Sequence, residues 1–267
     1  MPRFLIFLLI VTLCGALDIA LHMAGGDLMP MPSVFSALVN RFGFGVVVMV
    51  WIALAFTGMG LVFLVWARRM VGSGRQKGLR YGFALGLMIL VAMFEGVGLL
   101  GTPILGELAM GMADAVPIFL MITLLGWTLT ADCPATAGHG TPRVWPVLLT
   151  FALVYGFGRT GVQMAGLIES GLVERLLPSL IWPFAMGAAI GVLFLALGDA
   201  LRGLSRGTVA LAFGLGGFGA NWALFMTFVP MVFPDALTDT ALRVGVDILL
   251  VTGAALLVGR ENQLAAG

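Results

Sequence analysis

Long apolar runs alternate with short polar stretches along this chain. Each run is close to the ~20 residues that carry an α-helix across a bilayer. Eight runs are read: Phe4–Met23, Phe44–Trp66, Leu79–Leu100, Asp114–Leu129, Val144–Ile168, Leu180–Leu197, Thr208–Val229 and Thr240–Val258. The predicted fold is all-α, a polytopic membrane helix bundle, because a lone segment in lipid satisfies its backbone only as a helix. The fourth run is the shortest, and a start near Pro103 would lengthen it. Pro117 and Pro183 are placed near helix starts, where a proline ring is tolerated.

The polar gaps orient the helices. Basic residues favour the cytoplasmic side of short loops, and the richest gap holds Arg68, Arg69, Arg75, Lys77 and Arg80. Placing it inside brings Arg3, Arg143, Arg202, Arg206 and Arg260 inside as well, ten basic residues against three outside, Arg41, Arg175 and Arg243. Both termini are then cytoplasmic. Acids Asp27, Glu107, Asp114, Glu169, Glu174, Asp235 and Asp239 fall outside. Each loop charge is read as a solvated anchor. The location implied is a bacterial inner membrane. Arg3, an apolar run and Cys14-Gly15-Ala16 together resemble a secretory leader. Leu13 stands where a lipoprotein site needs a small residue, and the repeat described next needs this helix, so it is expected to be retained.

The two halves of the chain resemble one another. His22-Met23-Ala24-Gly25 matches Gln163-Met164-Ala165-Gly166, Gly60-Leu61-Val62-Phe63-Leu64 matches Gly191-Val192-Leu193-Phe194-Leu195, and Phe83-Ala84-Leu85-Gly86 matches Phe213-Gly214-Leu215-Gly216, in the same order. This predicts two parallel four-helix repeats, residues 1–130 and 144–267. A linker, residues 131–143, contains Pro134, Gly138, Gly140 and Pro142. Repeats related by an axis along the membrane normal are one transporter plan.

Polar residues inside the apolar runs carry the functional signal, since an intramembrane ionisable group is costly and points to a site. Counting 1.5 Å per residue puts Asp18, Glu95, Arg159, Asn221 and Asp247 all roughly 20–24 Å across a ~30 Å core. The repeat sets Cys14, Asp18 and His22 against Tyr155, Arg159 and Gln163, each set spaced by four and so forming one stripe on a helix face. Asp18 and Arg159 thereby become expected partners, which would offset about 2.5–3.5 kcal/mol of insertion cost for each alone. Arg243, one turn before Asp247, is expected to neutralise it. Glu95 is left without a cation, and a carboxyl buried that way favours its neutral form, as a proton carrier would. The same layer also fits a packing clasp between the halves. His22 is read as an interfacial side chain, and Asn221-Trp222 as a polar contact where a glycine-rich helix packs closely, or as part of a solute path.

Composition narrows the function classes. Hydrophobic residues make up 60% and charged residues 10% of the 267, against about 25% charged in soluble domains. Abundant glycine suits close helix contacts in lipid. A net charge of +1 offers nothing to a nucleic acid. Cys14 and Cys133 have no metal or redox spacing, and two histidines are too few for several haems, so no metal and no cofactor is expected. No phosphate loop, nucleophile elbow or HExxH pair occurs. The leading reading is a small-solute or ion permease, with proton coupling as one form of it. The alternative is a non-catalytic anchor or assembly subunit, because the loops leave no soluble module. The third is a lipid-modifying enzyme with Glu95 or Asp18 as acid or base. Besides the lipid bilayer, the partners these readings imply are a small solute or protons, a membrane protein, or a second copy of the chain.

Overall fold

The computed structural model describes residues 2–28, 34–133 and 143–264, and among them it is helical, with one isolated antiparallel bridge between Gly72 and Cys133. Most of the expected linker, including Pro134, Gly138, Gly140 and Pro142, lies outside the described residues, as does the side chain of Arg260. Eight long helices are present among the described residues: α1 Arg3–Gly25, α2 Phe44–Ala67, α3 Gly74–Leu99, α4 Ile104–Leu129, α5 Val144–Met164, α6 Leu176–Ala196, α7 Arg206–Val232 and α8 Leu237–Leu264. Seven are long and apolar enough to cross a membrane, so the chain is a multi-pass membrane protein. The other, α5, is 21 residues long and is the helix diluted by Tyr155, Arg159 and Gln163.

Local chemistry explains where the helix ends depart from expectation. α3 starts five residues before Leu79, because Ser73 and Gln76 form a reciprocal capping box that satisfies free N–H groups of the first turn. α4 starts after Pro103, so Glu107 and Asp114, expected in the outer loop, belong to the helix and are buried. Pro117 and Pro183 are interior residues of α4 and α6, not near-start residues. Having no N–H, Pro117 cannot donate to the Ala113 carbonyl, one residue from Asp114. Two spans are irregular. α3 breaks at Phe94, immediately before Glu95, and α7 is a π-helix over Ala212–Gly219. In that stretch Trp66 donates to the Gly216 carbonyl at 3.3 Å.

Close packing is set by a glycine ladder. Gly74, Gly78, Gly82 and Gly86 are spaced by four and so share one face of α3. A Cβ added there would run into the backbone oxygens of α4: Gly126 from Gly74, Ile122 at 2.9 Å from Gly78, Phe119 at 3.0 Å from Gly82 and Ala115 at 3.1 Å from Gly86. Lipid offers no hydrophobic drive between helices, so this van der Waals approach is what holds α3 to α4. α1 packs on α4 as α5 packs on α8, and α3 on α4 as α7 on α8; between the halves, α2 meets α7 and α3 meets α6. α1 and α5 are not neighbours.

Both ends of the bundle are tied by basic side chains. At one end Arg80 pairs with Asp199 at 2.8 Å. There Lys77, read from sequence as a solvated anchor, is instead buried. Its Nζ donates to the carbonyls of Ala67 at 3.1 Å and Ala131 at 2.8 Å, at the ends of α2 and α4. At the other end Arg175 donates to the Gly98 and Leu99 carbonyls at 2.7 Å each. Cations suit these sites because helix C-termini carry unpaired carbonyls and partial negative charge.

Candidate functional site

The expected polar layer divides into two groups. The first is built around Arg159 of α5, which is fully buried. Its Nη1 reaches Asp247 Oδ1 of α8 at 2.6 Å and its Nη2 reaches Glu95 Oε1 of α3 at 2.9 Å. Tyr155, one turn before Arg159, donates to Asp247 Oδ1 at 2.9 Å, and the Trp222 indole of α7 donates to Asp247 Oδ2 at 2.9 Å. The guanidinium also lies 5.6 Å from the Trp182 ring centroid, a cation–π distance. Arg243 of α8 reaches Glu95 Oε1 at 2.8 Å, donates to the Glu169 carbonyl at 2.7 Å and pairs with Asp239 on its own helix.

These contacts correct three expectations. Arg159 pairs with Asp247 and Glu95, not with Asp18. Arg243 neutralises Glu95, not Asp247. Glu95 is not short of a cation, since two guanidiniums converge on one of its oxygens, and the motive for reading it as a proton carrier is gone. Two acids and two arginines balance the interior of this group, and buried ions are tolerable only in such arrangements. Glu95 directly follows the break at Phe94 and reaches from α3 to Arg159 of α5 and Arg243 of α8. Beside Glu95, a small cleft lined in part by Gly98, Gln163, Gly171, Ser179 and Trp182 has room for about one water.

Asn221 lies apart from that group. It is fully buried, and its amide donates to the Tyr81 hydroxyl at 2.8 Å and to the Gly217 carbonyl at 2.7 Å. It joins α7 to α3 across the two halves. Its neighbour Trp222 is the residue that reaches Asp247.

The second group joins Asp18 and His22 of α1 to Asp114 of α4. His22 Nδ1 contacts the Asp18 carbonyl at 3.0 Å and Asp18 Oδ2 at 3.4 Å, and its Nε2 is 3.8 Å from Asp114 Oδ1. Both carboxylates are buried, while the His22 side chain is 34% exposed. One oxygen of each carboxylate, Asp18 Oδ1 and Asp114 Oδ1, has no hydrogen-bond partner. His22 is thus drawn into a cluster and is not simply interfacial. Among the described residues no arginine or lysine pairs with Asp18 or Asp114.

Sequence reading placed Asp114 outside and so missed it; the early helix start noted at Pro103 was the signal that could have recovered it. Tyr81 left no signal. The glycine ladder was legible as a spacing of four. Comparison with protein family models, with curated proteins and with solved structures gives no match.

Proposed function

We propose that this multi-pass membrane protein is a small-solute or ion permease, with the buried layer of Asp18, Glu95, Arg159, Asn221 and Asp247 as its polar site. One observation carries the reading. Asp18 and Asp114 sit inside spanning helices with carboxylate oxygens that no donor satisfies. Such acids are costly in a bilayer unless a cation or a polar solute visits them. The Arg159 group, charge-balanced and hydrogen-bonded, suits a fixed clasp beside that path.

The proposal includes a two-repeat construction, residues 1–130 and 144–267, with eight spans and both termini cytoplasmic. The contacts of α1 with α4 and of α5 with α8, and the crossed contacts of α2 with α7 and of α6 with α3, follow the pairing that a two-fold axis requires. The basic loop around Arg80 and the segment holding Asp199 gather at one end, in keeping with a cytoplasmic face in a bacterial inner membrane.

The purified chain in sealed vesicles, tested against protons, metal cations and small polar solutes, should give a flux that Asp114→Asn reduces. No flux across that panel would reject the permease. The anchor-subunit alternative draws on the dry, satisfied contacts of Arg159, and a stoichiometric membrane partner lost on mutating that group would favour it.

A further inference from the structure

We propose that Asp18, His22 and Asp114 bind a divalent transition-metal ion between α1 and α4. This deepens the permease reading by naming the chemistry that one polar site accepts. A backbone carbonyl only accepts, so the 3.0 Å contact with the Asp18 carbonyl makes His22 Nδ1 the donor. In the neutral ring Nε2 then carries a bare lone pair. Nε2 faces Asp114 Oδ1 at 3.8 Å, so this nitrogen meets the carboxylate either through a proton on the ring or through an ion bound between the two. A ring N–H held by a backbone carbonyl is also the usual outer support of a metal-bound histidine.

The spacing fits one ion. The donor atoms of the three residues all lie within 4.8 Å of one another. Ligands at ~2.1 Å around a tetrahedral ion stand about 3.4 Å apart, close to the 3.8 Å between His22 Nε2 and Asp114 Oδ1. Asp114 is 3% exposed and its Oδ1 has no partner, and Asp18 Oδ1 is likewise buried and unpartnered.

Charge supplies the third argument. Two acids in the Arg159 group are met by Arg159 and Arg243. In the first half, Asp18 occupies the place that Arg159 holds in the repeat, and Asp114 on α4 faces it as Asp247 on α8 faces Arg159. The first half therefore has two acids and, among the described residues, no arginine or lysine paired with them. A protonated His22 offers the two acids only one positive charge; a divalent ion held by the neutral imidazole supplies two. One imidazole nitrogen with carboxylate oxygens favours zinc, manganese, iron or cobalt over magnesium or calcium, which prefer all-oxygen sites. The partly exposed His22 edge leaves a coordination position for water or exchange.

The test uses the full chain in detergent, stripped with chelator and titrated with Co(II), Zn(II) and Mn(II), with Cys14→Ser/Cys133→Ser as background to exclude thiol binding. One ion per chain is expected, with Co(II) giving a visible absorption band and Zn(II) raising the thermal midpoint. His22→Gln and Asp114→Asn should each weaken binding by at least about tenfold. Size-exclusion elution and helical circular dichroism establish that each variant is folded, and loss of the metal-induced midpoint shift gives a second readout. Absence of saturable binding by the folded parent, or binding that survives both substitutions, overturns the site, including the case in which the acids share a proton. Binding without flux of protons, metal cations or small polar solutes in vesicles supports the site while rejecting the permease.

Discussion

Arg159 offers the sharpest test of the buried charge arrangement. Arg159→Gln removes one cation from two carboxylates inside the bundle. Breaking a buried ion pair costs about 3–5 kcal/mol. Asp247 keeps hydrogen bonds from Tyr155 and Trp222, and Glu95 keeps Arg243, which places the loss near the lower end, about 3 kcal/mol. That is more than about a hundredfold in the unfolding constant. Reversible unfolding in mixed detergent and dodecyl sulfate micelles can be followed by tryptophan fluorescence, because Trp182 and Trp222 touch the group. Asp247→Asn alone should also destabilise, and the double variant should lose at least about 1 kcal/mol less than the sum. Asp18→Asn combined with Arg159→Gln should instead add to within about 0.5 kcal/mol, as expected of residues sharing no partner. Strict additivity for Arg159 and Asp247, or strong coupling for Asp18 and Arg159, would refute the assignment of partners.

Glu95→Gln should not behave as a silent mimic. It leaves two arginines sharing a neutral acceptor, and a loss of about 1–3 kcal/mol is expected; wild-type stability would show that Glu95 does not balance them. Gly78→Leu should separate α3 from α4 and lower the thermal midpoint sharply, while Gly45→Leu, where an added Cβ meets nothing within 4 Å, should be tolerated; equal effects would remove the glycine ladder as the cause. Native Cys133 lies against Gly72 at the end holding the basic loop, so an impermeant thiol reagent should label it only after cells are opened. Ready labelling from outside would invert the topology.

The apolar runs determined the helices. Length and hydropathy suffice for that, because lipid forces each segment to satisfy its own hydrogen bonds. They also placed Glu95, Arg159, Asn221 and Asp247 in the interior, since burying polar groups among apolar runs is legible from composition alone. Helix ends were less legible where a cap decided them, as Ser73 did for α3 and Pro103 for α4, and the α4 error carried Asp114 out of the membrane.

The choice of partners belonged to the tertiary structure. The repeat read from sequence sets Asp18 against Arg159, and that equivalence suggested that they meet. Residues related by a two-fold axis meet only if they lie on it. α1 and α5 are not neighbours, so each turns its polar stripe inward, to α4 and to α8. A sequence match along the chain suggests which positions correspond, but which helices pack side by side is decided in three dimensions, and that packing sets which charges are paired.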